Sequence, residues 1–269
     1  MKLAITGISS FLASEILPLL EKDDTITEIL GLDVAERDYN SSKVVFKKRD
    51  VRDPQIEDDL KGYDAVLHLA FIVSPLSSRK EIYSINIDGS RNVFNCAIKA
   101  GITKIVHASS VAAYGAFPDN PIPLTEEHPI RKMKKQFYYH DTKYAVEKIL
   151  DELEQKHPNI SISRIRPHVF LGKNINNFFA SFFKSKAIYG LSSDNLWQFV
   201  YVTDVAQLFY LALIKDAPGA FNCGADNPLS IIDMGKQLNK KVRNIPHRTA
   251  LSVLVFLQKL RILKKDLAG

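Results

Sequence analysis

A chain of 269 residues with 46% apolar content and a net charge of +6 can bury a substantial core and carries too little excess charge to mark a dedicated nucleic-acid surface. Its Lys and Arg residues are spread along the chain, with small clusters at 132–135 and 259–265, and no zinc-finger, RNP or helix-turn-helix pattern is present; acidic small molecules or solubility account for the charge. Cys96 and Cys223 have the spacing of neither a disulfide framework nor a zinc site, Met1-Lys2 runs into a short strand rather than a secretory leader, and no apolar run is long enough to span a bilayer, so a reducing cytoplasm is the expected location and no metal is expected.

Lys2-Leu3-Ala4-Ile5 reads as a strand, Thr6 to Ala13 as a turn of small residues, and the next segment as a helix with Ile16, Leu17, Leu19 and Leu20 at helical spacing. That order opens a dinucleotide-binding βαβ unit. The chain must turn tightly at positions 7, 10 and 13, approach a pyrophosphate and pack its helix close; these positions read Gly7, Ser10 and Ala13. Gly7, Ser9, Ser10, Phe11 and Leu12 are the expected cofactor contacts there. The second strand, Glu28 to Leu32, ends at Asp33, where a carboxylate accepts hydrogen bonds from an adenosine ribose and repels a 2′-phosphate, which predicts NAD rather than NADP.

Val44-Val45-Phe46 is a third strand, and Asp50-Val51 after it either reaches an adenine edge or belongs to a solvated loop. Ala65 to Ala70 is almost wholly apolar, as in the middle of a parallel sheet, and His68 within it reads as a core histidine. A helix over 84–100 presents Ile85, Val93 and Ala97 to the sheet and carries Asn86 near its start. The strand Ile105 to Ala108 then delivers Ser109-Ser110 at its carboxyl end, the edge where ligands sit in open α/β sheets.

A Pro-rich loop, Phe117 to Pro129, leads to a helix from Tyr139 to about Gln155, on which Tyr139 and Lys143 share one face. An ammonium near a phenol favours the phenolate, so the pair can exchange a proton with a substrate. After the strand Ile160 to Ile165 the alternation breaks down into short elements: an aromatic helix at 178–183, a strand at 199–202, helices at 205–214 and 230–238, and an apolar helix at 249–265 edged by Lys and Arg. The chain therefore divides into a dinucleotide-binding domain at 1–165 and a smaller substrate lobe at 166–269, interleaved with the first. The last helix is expected to dock on that lobe, with subunit pairing or contact with an acidic membrane surface as alternatives.

These pieces, taken in order, resemble the extended branch of the short-chain dehydrogenase/reductase superfamily, the NAD-dependent epimerase/dehydratase family. The resemblance rests on Thr6-Gly7, Asp33, Asp50-Val51, His68-Leu69-Ala70, Asn86, Ser109-Ser110 with Tyr114-Gly115, Tyr139 with Lys143, Arg166-Pro167 and Val202-Thr203-Asp204-Val205, and covers about Met1 to Leu238. It implies an α/β fold with a doubly wound parallel Rossmann sheet and a smaller C-terminal lobe, and NAD as cofactor. It selects Ser110 over Ser109 and Tyr139 over Tyr138 as catalytic residues, with Lys143 lowering the tyrosine's pKa and holding the nicotinamide ribose. Leu69, Ala70, Asn86 and Pro167 join the expected cofactor contacts, and Val73, Tyr114, His168 and Trp197 the expected substrate contacts. A homodimer is the family's expectation.

Departures from the pattern bear on the substrate. Val111 and Ala112 stand where dehydratases of the family carry an Asp-Glu pair, so dehydration is disfavoured. Val169 and Trp197 replace an asparagine and an arginine that typically hold a nucleotide sugar's diphosphate, and an uncharged indole is no phosphate clamp. Arg131, Lys132, Lys134 and Lys135 are an alternative source of positive charge; Phe178, Phe182 and Trp197 would suit a more apolar ketone. The leading expectation is a nucleotide-sugar epimerase working through a 4-keto intermediate. The alternatives are a reductase or dehydrogenase of a lipid-like, steroid-like or phenolic carbonyl compound, and a non-catalytic NAD-sensing protein.

Overall fold

The computed structural model describes residues 1–73, 78–134, 137–173, 175, 184–190 and 196–244. The expected aromatic helix at 178–183, with Phe178 and Phe182, the residue Lys135 and the expected helix at 249–265 lie outside the described residues. Two compact units are formed, one from Met1–Pro167 with Val202–Cys223, the other from His168–Tyr201 with the residues after Cys223.

In the first unit, β1 (Lys2–Thr6), β2 (Glu28–Asp33), β3 (Val44–Lys48), β4 (Ala65–His68), β5 (Lys104–Ala108) and β6 (Ser161–Pro167) belong to one parallel sheet. The short strands β7 (Val169–Leu171), β8 (Ala187–Gly190), β9 (Leu196–Trp197) and β10 (Phe199–Tyr201) follow in the second unit, and then β11 (Gly219–Cys223) returns to pair with β6, Cys223 opposite Pro167. The order is β11-β6-β5-β4-β1-β2-β3, so chain order reverses between β1 and β4 and opens a crevice at their carboxyl ends.

Both faces of the sheet are covered, which is why its strands read as near-continuous apolar runs. Ala4, Val66, Ile105 and Ile162 pack with Val93, Phe94 and Ala97 of α4 (Ser90–Lys99) and with Val146, Ile149, Leu150 and Leu153 of α5 (Tyr138–Lys156). The alternating residues Leu3, Ile5, Leu67, Val106 and Ile165 are also buried. The helices α1 (Phe11–Lys22) and α6 (Val202–Ile214) pack against each other, with Tyr210 donating a 3.0 Å hydrogen bond to Asp23. A short α2 (Ile56–Asp59) follows β3. None of the helices among the described residues is long and apolar enough to cross a membrane.

The helix expected at 84–100 differs in form. It begins as α3 (Arg79–Tyr83), capped by Ser78, and passes through a wide π-type turn, Ser84–Gly89, before α4. The turn brings Asn86 fully inside, where its amide bonds the backbone of Ile72, and it passes so close to Val51 that a Cβ on Gly89 would lie 2.5 Å from that side chain. Likewise the strand expected at 199–202 stops at Tyr201, and α6 starts at Val202, whose side chain is buried.

The second unit has its own small core. Ile188, Ile231 and Met234 cluster with Phe199, Leu229 and Val242. Around them β7 pairs with β10, β8 with β13 (Lys241–Asn244) and β9 with β12 (Leu229–Ser230). α7 (Ile231–Gln237) starts on a capping box of Ser230 and Asp233.

At Gly7, which has φ +74°, backbone meets backbone; a Cβ there would stand 2.5 Å from the Ala70 nitrogen and 2.9 Å from the Leu69 carbonyl carbon. Gly62 has φ +82° but open space around it. Gly62→Ala is therefore expected to cost about 1 kcal/mol of unfolding free energy, from backbone conformation alone, and Gly7→Ala about 2–4 kcal/mol, because the β1–β4 edge must also separate. Urea unfolding of the two variants checks this; equal losses would show that the Gly7 contact is soft.

Candidate active site

All seven strands of the main sheet are parallel, so their carboxyl ends share one edge, and the residues that leave those ends are brought together by topology. After β1 comes the Gly7 turn, closed by hydrogen bonds from Gly7 N–H to Leu32 O (2.8 Å) and Ser10 N–H to Gly7 O (3.0 Å). Ser10 stands at the N-cap of α1, where its Oγ accepts from Ala13 N–H at 3.2 Å. A serine in place of glycine thus completes the helix start, with Phe11 and Leu12 as the first helical residues and their N–H groups at the positive end of the helix dipole. At the end of β2 the Asp33 carboxylate accepts from Ser9 N–H and Ala35 N–H, both at 3.0 Å. Each oxygen keeps a further lone pair, so the arrangement fits a ribose diol next to a diphosphate at the helix start.

Lys143 is buried, and its Nζ donates to Ala108 O at 2.6 Å and sits 3.4 Å from the centre of the Phe71 ring. Tyr139 stands one turn earlier, edge-on to Phe71, with the Ser110 hydroxyl close enough to favour its ionised form. Tyr138 points elsewhere, its hydroxyl donating to Val73 O at 2.9 Å. Ser110 also caps the short 3-10 turn Val111–Tyr114 by accepting from Ala112 N–H at 3.2 Å. Ser110, Tyr139 and Lys143 are thus together beyond β5.

Their electrostatics differ from the sequence expectation. Burial raises the Tyr139 phenol above its usual range and the nearby Ser110 hydroxyl opposes that; the Lys143 ammonium, 5.8 Å from the ring centre and tied to Ala108, does not reverse it. Burial pulls Lys143 down to about 7, against the charge of Glu147. His68, on β4, is a core histidine: Ser90 Oγ donates to Asn86 O, so it accepts from His68 Nε2–H (2.8 Å), leaving Nδ1 to accept from Thr6 Oγ1 (2.6 Å). Burial and then the Lys143 charge push it down to about 3, so it stays neutral.

Several expected contact residues have their polar groups otherwise engaged. Asn86 uses its amide on Ile72 and on Thr142 (3.4 Å), so it fixes the segment after β4. Asp50 is held by Arg52 through N–H, Nε and Nη2 at 2.6–2.9 Å, which keeps its carboxyl below the usual range, while Val51 is buried beside Gly89. Tyr114, expected at the substrate, is instead 1% exposed; its hydroxyl donates toward Thr125 O and Asn222 Oδ1 and accepts from Arg166. Leu69 is buried at the β4 end next to Ala70, Pro167 closes β6, and Val73 is exposed. His168 and Trp197 lie in the second unit, Trp197 on β9 and partly exposed. Of the basic run, Arg131 is spent on Asp119, Asn120 and the Phe117 ring.

Two buried groups escaped the sequence reading. His140 donates from Nδ1 to Ala112 O (2.8 Å) and accepts at Nε2 from Met133 N–H (3.1 Å), clamping the loop before α5 to the turn after Ser110. Glu147 gathers Ser109, Arg164 and Arg166. Its spacing, one more turn beyond Lys143, was the available signal, as was the alternation that puts Arg164 and Arg166 on one face of β6.

The sequence profile of the NAD dependent epimerase/dehydratase family matches residues 3–224. The chain belongs to this family. Among curated relatives, the N-acetyl-alpha-D-glucosaminyl-diphospho-ditrans,octacis-undecaprenol 4-epimerase of Escherichia coli O157:H7 is 31% identical over 209 residues, 72% of this chain and 60% of the relative. The chain thus spans about 60% of that enzyme's length. A putative UDP-glucose 4-epimerase of Methanocaldococcus jannaschii is 26% identical over 231 residues, 78% of this chain and 72% of the relative. Among solved structures, the UDP-N-acetylglucosamine 4-epimerase of Methanobrevibacter ruminantium M1, in complex with UDP-N-acetylmuramic acid, superposes with a TM-score of 0.76 at 21% identity, covering 91% of this chain and 86% of that one, and shares its fold. The family is NAD-dependent, and the Gly7 turn, the α1 start and Asp33 fit such a dinucleotide.

The depressed Lys143 has a thermodynamic signature. Its folded pKa, about 7, lies below the 10.5 of an unfolded lysine, so between these values the unfolded chain binds one more proton and stability rises with pH. Lys143→Met removes this contribution. Urea unfolding from about pH 6 to about pH 9 is expected to show the wild type gaining stability relative to Lys143→Met as pH rises. Parallel curves would mean that Lys143 stays charged throughout.

Proposed function

We propose that the protein is an NAD-dependent epimerase that inverts a carbinol carbon of a diphosphate-linked sugar through a transient 4-ketone. The observation that carries the reading is the grouping of Ser110, Tyr139 and Lys143 at the carboxyl edge of the sheet that also holds the Gly7 turn and Asp33. The relatives support the substrate class, one acting on a diphosphate-linked N-acetylglucosaminyl lipid and another being a putative UDP-glucose 4-epimerase.

The dinucleotide would be held by the Gly7 turn, the start of α1 and Asp33. When bound, NAD supplies the acceptor that takes hydride from the carbinol carbon and gives it back. Tyr139 takes the hydroxyl proton as that carbon is oxidised and returns it on reduction. Ser110, beside Tyr139, orients the reacting oxygen. Lys143 has donated one N–H to Ala108 O and keeps two more for ribose hydroxyls. Burial raises the Tyr139 phenol, so the proton transfer depends on the ammonium and on Ser110 to bring the phenolate within reach. We place the protein in the cytoplasm; both cysteines are buried thiols, which fits a reducing compartment.

A second reading, a net reductase of an apolar ketone, is favoured by one observation: Val169 and Trp197 are uncharged at the positions where the family resemblance implies anchors for a diphosphate. Net NADH consumption with such a ketone would decide for it.

Tyr139→Phe is expected to lower turnover by about 100-fold or more, while NAD still raises the melting temperature by mass action. NADP at the same concentration should raise it less, because Asp33 repels the 2′-phosphate. Unchanged turnover in Tyr139→Phe, or a larger shift with NADP, would overturn the assignments.

A further inference from the structure

Glu147 lies on α5 one turn after Lys143 and two after Tyr139, with a side chain 0% exposed. Its carboxylate accepts from Ser109 Oγ at 2.6 Å, from Arg166 Nε at 2.8 Å and Nη2 at 2.9 Å, and from Arg164 Nη1 at 3.3 Å. Arg166 continues to the Tyr114 hydroxyl at 2.8 Å, and that hydroxyl reaches Asn222 at 3.0 Å. One carboxylate therefore ties the catalytic helix to the residue before Ser110, to β6 and to the turn that follows Ser110.

Stability alone does not account for such a group. Apolar residues of similar volume often hold a core as well as a buried ion pair does, because both charges must be desolvated. The position relative to Lys143 supplies a different reason. The groups that bear on the Lys143 ammonium are the Ala108 carbonyl and the Phe71 ring, the buried histidines His68 on β4 and His107 on β5, and Tyr139 and Glu147 on its own helix, with Arg164 and Arg166 of β6 bonded to Glu147. Asp151 and Glu154 bind Arg164 from further along α5. The Ala108 carbonyl and the Phe71 face meet the ammonium as dipoles and the buried histidines stay neutral; Glu147 is the anion whose charge acts on it.

We propose that Glu147 is a positioning residue that holds Lys143 more protonated than burial alone would leave it: its buried carboxylate, fixed by Arg166 and Ser109, stands one helical turn away and so supports the charge beside Tyr139. Burial pulls Lys143 down and the charge of Glu147 opposes it. Burial would also raise Glu147, but the hydrogen bonds and charge of Arg166, with Ser109 and Arg164, hold its carboxyl below the usual range, so it stays an anion. Arg164 and Arg166, bonded to that carboxylate, carry the opposite charge and offset part of its field, so the protonation of Lys143 follows the balance of this buried set. That Lys143 serves catalysis rests on the proposed function; its charge state does not.

The test is the pH titration of the Lys143 Cε resonance in the cofactor-free full chain labelled with 13C-lysine, assigned with Lys143→Met, for wild type, Glu147→Gln and Arg164→Met. Arg164→Met leaves the two-bond Arg166–Glu147 pair in place. Glu147→Gln is expected to lower the Lys143 midpoint by about one pH unit or more, and Arg164→Met to raise it. A purely structural role for Glu147 would leave the midpoint unchanged or move it the same way in both variants, and either result overturns the proposal. Should Glu147→Gln fail to fold, Arg164→Met decides: a raised midpoint supports the balance of charges and an unchanged or lowered one refutes it. Loss of the Tyr139→Phe prediction with opposite midpoint shifts would sink the epimerase reading alone, whereas an active enzyme with unmoved midpoints would sink this proposal alone.

Discussion

A parallel sheet buried on both faces leaves its strand ends for polar work, and the rest of this structure follows from that constraint. The strand interiors are given to Leu3, Ile5, Val66, Leu67, Ile105 and Val106, all fully buried. Polar function is displaced to the carboxyl edge, where Gly7, Asp33, Ser110 and Pro167 leave successive strands. The absence of a side chain at Gly7 lets the turn after β1 lie against the backbone of Leu69 and Ala70, and this close approach sets the crevice at the point where strand order reverses.

The same burial creates a conflict at the site. A lysine and a tyrosine placed inside an apolar fold lose the hydration that stabilises their charged forms, so both drift toward neutrality. The protein meets this with fixed dipoles and fixed charges: the Ala108 carbonyl and the Phe71 face at the ammonium, the Ser110 hydroxyl at the phenol, and the buried carboxylate of Glu147 behind them. Neutral His68, locked between Thr6 and Ser90, adds packing without adding a competing charge. Preorganisation of this kind costs stability and is retained where charge must be held in a dry place.

The alternation of apolar strands with amphipathic helices made the order β1-α1-β2 and the later parallel strands legible in the sequence, because period and burial are coupled in a sheet covered on both sides. The spacing of Tyr139 and Lys143 was legible for the same geometric reason. What could not be read were choices made by tertiary partners. The return of Gly219–Cys223 to the edge of the sheet depends on pairing with β6, which no local pattern announces. Tyr114 reads as a cleft residue by its place after Ser110, yet Arg166 and Asn222 draw its hydroxyl inward. Asn86 and Asp50 read as cofactor contacts, and their side chains are bound to Ile72 and Arg52. The direction of the Tyr139 shift was misjudged because charge attraction was considered without the cost of burial.

The central claim is that hydride leaves and returns to one carbinol carbon of a diphosphate-linked sugar while Tyr139 handles the proton. The most direct measurement follows the fate of a deuterium placed at C4 of UDP-N-acetylglucosamine and of UDP-glucose, incubated with the enzyme and NAD in ordinary water. The account predicts C4-inverted product that retains the deuterium, with no net accumulation of NADH. Loss of the label to solvent, or no inversion of either sugar by protein that binds NAD, would contradict it.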